Sequence, residues 1–153
     1  MERPAGPVRL PLVCPLAVAV PSAERQQKLL ETAPNVVVAT IRPDGVPQLT
    51  PNWFLWTGST FLISVAERSI KTRNLRLDPR IVLCIDDVPS GDYVQVTGTA
   101  MIIDGDAVRE PTLELCRKYM AAEVVEAHWD SLVAEGPRVI IEVHPERFQW
   151  HDR

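Results

Sequence analysis

Between residues 36 and 66 the chain carries three apolar, β-rich runs separated only by Arg42-Pro-Asp-Gly45 and Thr57-Gly-Ser59. Linkers that short leave no room for a crossover helix, so consecutive strands must turn back and pair antiparallel. The pattern continues downstream. Residues 80–86 regain β character after a helical segment at 69–77, and residues 93–103 form a longer strand closed by Asp104-Gly-Asp106. Residues 139–143 make a last strand, which Phe148-Gln-Trp150 extends beyond Pro145. Ser22 opens a short capped helix, and residues 111–134 read as one helix with Pro111 in its first turn. The expected architecture is therefore mainly β (α+β): a six-stranded antiparallel barrel with a few short helices. A parallel doubly wound sheet would need a helix after nearly every strand.

A chain of 153 residues that is 46% hydrophobic can bury the core of one domain. Residues 22–153 are assigned to that domain and residues 1–21 to a Pro-rich N-terminal extension. The apolar stretch at residues 10–20 follows Arg3 and Arg9 like a signal peptide, but Pro11 and Pro15 interrupt it. It also falls short of the roughly 20 apolar residues of a membrane span. Cys14, Cys84 and Cys116 are few, odd in number and far apart, which suits a reducing cytoplasm and no disulfide framework. His128, His144 and His151 show no metal-ligand spacing, and no catalytic triad or nucleotide loop is present.

Charge is unevenly placed. The chain holds sixteen Lys and Arg against twenty Asp and Glu, yet residues 67–80 hold five cations and two anions. Net acidity elsewhere argues against nucleic-acid binding, which needs a broad cationic footprint. The cationic segment lies where a strand ends and a helix starts, with Ser69 in the capping position and Lys71, Arg73 and Asn74 just inside. Free N–H groups, the helix dipole and adjacent cations together form a phosphate seat. A plain solvated helix face is the simpler alternative for such a cluster.

Alternation along the strands separates two faces. Phe61, Ile63 and Val65 form a core set, as do Val94, Val96, Ala100 and Ile102. In the second strand Leu49, Trp53 and Leu55 share a face with Pro51, and Trp53 is assigned to the core. Gln48, Thr50 and Asn52 take the opposite, outer face, extended by Phe54 and Trp56, where aromatic groups suit a ligand or second subunit. Pro51 marks an edge strand or bulge that lets a ligand approach the backbone.

Three segments carry a family resemblance: Ala39-Thr-Ile-Arg-Pro-Asp-Gly-Val-Pro-Gln-Leu-Thr-Pro51, Ser69-Ile-Lys-Thr-Arg-Asn-Leu-Arg-Leu-Asp-Pro-Arg80 and Val96-Thr-Gly-Thr-Ala100. They resemble the pyridoxamine-phosphate-oxidase-like split-barrel flavoproteins, and within them the coenzyme F420-dependent oxidoreductase branch of actinobacteria. The resemblance implies a homodimer of split barrels with cofactor sites at the interface. It implies coenzyme F420 as cofactor, with FMN as the alternative, and hydride transfer to a small organic substrate without a dedicated catalytic side chain. Ser64, Ser69, Lys71 and Asn74 match the phosphate side of the family pattern, with Arg68 and Arg73 as adjacent cations. Thr50, Pro51 and Asn52 match the strand beside the ring, and Trp150 would reach a partner's site. Some relatives have Arg where this chain has Ser69, which leaves Arg68 as a substitute cation. A carrier of flavin, deazaflavin or tetrapyrrole without turnover is the remaining alternative. Sequence motifs for a membrane or nucleic-acid partner are not seen, and a cytoplasmic location is expected.

Overall fold

The computed structural model describes residues 20–151. The expected extension at residues 1–21 falls almost entirely outside the described residues. α1 (Ala23–Thr32) begins at Ser22, whose hydroxyl accepts from the N–H of Arg25. It is fastened to the sheet by the ion pair of Arg25 with the buried Asp92. Then come β1 (Val36–Ile41), β2 (Pro47–Asn52), β3 (Leu55–Trp56) and β4 (Phe61–Ala66). α2 (Ile70–Leu77), β5 (Arg80–Asp87) and β6 (Asp92–Ile103) follow. A 3-10 turn at Gly105–Val108 leads to α3 (Arg109–Arg117), α4 (Ala122–Ala134) and β7 (Arg138–His151).

All strand pairs are antiparallel and form one sheet in the order β2-β1-β5-β6-β7-β4-β3. β2 and β3, which read as a single strand in the sequence, occupy opposite edges of this sheet. The two residues between them, Trp53 and Phe54, carry the chain across the opening and make the barrel a split one. The strand count is consequently seven and not six. Pro51 lies on an edge strand, as expected of a residue that cannot donate to a ladder.

The barrel interior holds Val36, Val38, Phe61, Ile63, Leu83, Ile85, Val94, Val96, Ile141 and Val143, each nearly or fully buried. A second layer, Leu62, Val108 and Ile140 with Trp129, packs the 3-10 turn and α4 onto the outer face of β4 and β7. β7 runs through Pro145 because a bulge between Thr97 and Gly98 absorbs the extra residue. Gly98 is required there: a Cβ would stand 2.4 Å from the carbonyl oxygen of His144.

Two expectations are corrected. The helix expected at residues 111–134 is two helices, broken at residues 118–121, where Tyr119 turns toward the backbone of Phe54. The face assignment of the second strand is inverted. Gln48, Thr50 and Asn52 lie opposite the inward-facing Thr40, Val38 and Val36, so they face the barrel end and not the outside. Phe54 is fully buried and Trp56 packs on the core, whereas Trp53 is 40% exposed and Leu49 62%. Polarity misled here, because the mouth of a split barrel is an inner face that is wet.

Candidate functional site

An open cleft of about 390 Å³ lies at the split, between the end of β2 and the helical pair α3/α4. Its strand side consists of Pro51 and Asn52 at the end of β2 and Ser64 on β4. Its helical side offers Thr112 and Cys116 from α3 and His128 from α4. Arg138, the first residue of β7, closes the floor. Trp53 stands at the rim, stacked on Tyr119 with ring centroids 4.5 Å apart and planes within 4°.

The polar groups of the floor converge on Ser64. Its hydroxyl donates to Thr112 Oγ1 at 3.1 Å and accepts from Arg138 Nη2 at 3.2 Å. Thr112 is fully buried and also donates to the carbonyl of Val108 at 2.8 Å. Arg138 Nε is buried without a hydrogen-bond partner. Burial depresses the pKa of Arg138, and burial together with repulsion from Arg138 depresses that of Lys71. Among the described residues no carboxylate lies within ion-pair distance of either cation. Cys116 is held protonated: burial raises its pKa, with Arg138 acting weakly the other way.

α2 delivers the rest of the cationic segment. Ser69 caps it, accepting from the N–H of Thr72 at 3.2 Å, which bears out the cap read from sequence. The N–H groups of Ile70 and Lys71 therefore precede the first intrahelical bond, made by Arg73 to Ser69 O. Arg68, Ser69, Arg73 and Arg76 line a separate shallow depression of about 330 Å³, in which Glu67 pairs with Arg76 at 2.9 Å.

The expected site residues are thus divided. Pro51, Asn52 and Ser64 share the cleft, and Thr50 stands behind it, donating to Asn52 Oδ1 at 3.1 Å. Ser69, Arg68 and Arg73 share the shallow depression, and Lys71 lines neither hollow but is near enough to Arg138 for the two charges to repel. Asn74 is buried, and its amide donates to Thr40 Oγ1 at 3.0 Å and Gln48 Oε1 at 3.3 Å, which docks α2 onto β1 and β2. Trp150 packs against this chain's own core, stacked on Phe148. Arg138, Thr112 and His128 were not anticipated. A cation directly before an apolar strand was visible, but its pairing with β4 was not.

The model of the pyridoxamine 5'-phosphate oxidase family matches residues 22–152, nearly all of the described chain and much more than half of the sequence. The chain belongs to that family. Among solved structures of similar fold is a conserved hypothetical protein of Mycobacterium tuberculosis, 24% identical with a TM-score of 0.74, covering 89% of this chain and 88% of the other. An F420 reductase is 26% identical with a TM-score of 0.58, over 80% of this chain and 94% of its own. A haem storage protein of Vibrio cholerae is 12% identical with a TM-score of 0.68, over 84% and 94%. The first and third establish likeness of fold alone. No helix among the described residues is long and apolar enough to cross a membrane, and no cluster of three or more His, Cys, Asp or Glu among them could hold a metal.

Proposed function

We propose that the protein is an oxidoreductase that binds coenzyme F420 and transfers hydride between it and a small organic substrate. The observation that carries this reading is the open cleft where the β2 edge meets Ser64 and the half-buried Arg138, with Lys71 of α2 near enough for its charge to repel that of Arg138. The cleft volume of about 390 Å³ lies in the range of small-molecule sites. The 26% identity to an F420 reductase over most of both chains supports F420 as the cofactor. FMN is the second reading, favoured by the family match itself.

The buried, unpartnered Nε of Arg138 and the lack, among the described residues, of a carboxylate at ion-pair distance from Lys71 fit an anionic cofactor. Ser64, Lys71 and the N–H groups opening α2 would hold its phosphate. Pro51 and Asn52 would flank its ring, with Thr50 orienting Asn52. Bound there, the cofactor would supply the hydride chemistry, and the protein binding, orientation and water exclusion. Trp53 and His128 would then border the space left for the acceptor.

A homodimer belongs to the same proposal. The outward face of β2, β1 and β5 presents Leu49 at 62% exposure, with Val37, Ala39, Ile41 and Val82 half-covered. An apolar hollow of about 470 Å³ continues that face to β6. A second copy would cover it. Leu49→Glu should then shift the protein from dimer to monomer in light scattering.

Parallel titration with F420 and FMN, read by fluorescence, tests the cofactor. F420 is expected to bind, and Lys71→Ala to weaken it by about 1.5–3 kcal/mol through loss of a charge-assisted contact. FMN binding at micromolar concentration with no response to F420 would replace F420 by FMN in this reading.

A further inference from the structure

We infer that Arg138 is the principal anion anchor of the cleft, gripping a phosphate ester together with Ser64 and Lys71. This rests on the cofactor reading above and assigns to β7 the cation that the sequence pattern placed at Arg68.

The register puts it there. Ala66 of β4 lies opposite Arg138 of β7, and Ser64 opposite Ile140. Cross-strand partners share a face, and residues two apart on a strand share one as well, so Arg138 and Ser64 emerge on the same side of the sheet. The hydrogen bond from Nη2 to Ser64 Oγ at 3.2 Å realises that adjacency.

Its donors are underused. A guanidinium presents five N–H groups in a rigid fork that matches the oxygens of a phosphate. Arg138 makes one hydrogen bond among the described residues, and its Nε–H is buried with none. Leaving a buried donor unmade is costly, and natural structures keep few of them. Lys71 adds a second half-buried cation close enough to repel the first. Glu135 attracts Arg138 only from beyond ion-pair distance. Arg138 on the cleft floor and Lys71 near it repel each other with no carboxylate at ion-pair distance among the described residues, and a bound anion would offset that repulsion.

Arg68 and Arg73 are poorer candidates. Both are exposed and line the shallow depression on the other side of Ser69, where Glu67 already supplies a carboxylate.

The test compares wild type with Arg138→Met, Arg138→Lys and Lys71→Ala, titrated with F420, FMN and riboflavin, and melted with and without millimolar inorganic phosphate. Arg138→Met should weaken the phosphate-bearing cofactor by about 10- to 100-fold and leave riboflavin, which has no phosphate, unchanged. Arg138→Lys, which keeps the charge and loses the fork, should fall between. Without ligand, Arg138→Met should melt no lower than wild type, while the upward shift given by phosphate to wild type should vanish. Equal losses for FMN and riboflavin would overturn the inference, since Arg138 would then act through shape. So would a lower melting temperature of unliganded Arg138→Met with the phosphate shift intact. If Lys71→Ala weakens the cofactor and Arg138→Met does not, the anchor is wrong and the cofactor reading stands. If wild type binds neither F420 nor FMN but shows an Arg138-dependent phosphate shift, the anion seat stands and the cofactor reading fails.

Discussion

The hydroxyl of Tyr119 serves both backbone polar groups of Phe54, donating to its carbonyl at 3.0 Å and accepting from its N–H at 3.0 Å. Phe54 sits where one strand becomes two, so its backbone has no ladder partner, and the break between α3 and α4 supplies a side chain in place of one. Tyr119→Phe removes only the hydroxyl and keeps the ring stacked on Trp53. It should destabilise the protein by about 1–3 kcal/mol, the cost of the orphaned Phe54 N–H, since the carbonyl keeps the ammonium of Lys118 at 3.2 Å. Urea unfolding measures this, and an unchanged midpoint would mean that water takes over the bond to the N–H.

That crossing also marks the limit of what the sequence could reveal. Hairpin spacing made the antiparallel barrel legible, and the Ser22 and Ser69 caps, the core set Phe61, Ile63 and Val65, and the edge position of Pro51 came with it. Each of these is a local property. Trp53 and Phe54 exchange roles because the chain leaves one sheet edge there for the opposite one, which period-two alternation cannot register. Arg138 and Thr112 join Ser64 only through the pairing of β4 with β7 and the docking of α3. Such contacts join residues 48 to 74 positions apart, where no spacing rule applies. Asn74 matched a family pattern by its place in the cationic segment, yet its amide is buried against Thr40 and Gln48, which only the docking of α2 on β1 and β2 reveals.

Asn74 ties α2 to two strands, with its amide shared between Thr40 of β1 and Gln48 of β2. Asn74→Ala should cost about 1–3 kcal/mol in chemical denaturation, because Thr40 is buried and loses its closest partner. The companion Thr40→Val change leaves the Asn74 amide with Gln48 as its remaining partner. The double mutant should cost less than the sum of the two singles, as expected for residues in one network. Additive effects would show that the two side chains are energetically independent.

Gly98 faces the bulge of β7 at a separation that admits no side chain. Gly98→Ala should lower stability by about 1–3 kcal/mol or more, since the obstructing atoms are backbone and cannot rotate away. The loss should appear in thermal melting of the unliganded protein. A neutral result would require β7 to shift bodily at Pro145, visible as altered amide exchange along the β6–β7 ladder.

Lys118 gives the fold a pH dependence of identifiable sign. Its ammonium donates to the carbonyl of Phe54 at 3.2 Å and lies 3.7 Å above the Phe54 ring, and burial lowers its pKa from 10.5 to about 8. Below about pH 8 both folded and unfolded chains keep the proton, and the folded state carries the full desolvation penalty. Between about 8 and 10.5 the unfolded chain holds a proton that the folded chain has released. Stability contributed by this residue therefore rises with pH across that window. Cys84, Cys116 and Tyr119 act oppositely, because burial raises their pKa values and the folded state then keeps protons longer. Their effects are present with or without Lys118, so the difference between wild type and Lys118→Met isolates the lysine. That difference in unfolding free energy should move in favour of wild type as pH climbs from 7.5 to 9.5, and a pH-independent difference would mean that the ammonium stays solvated in the folded protein.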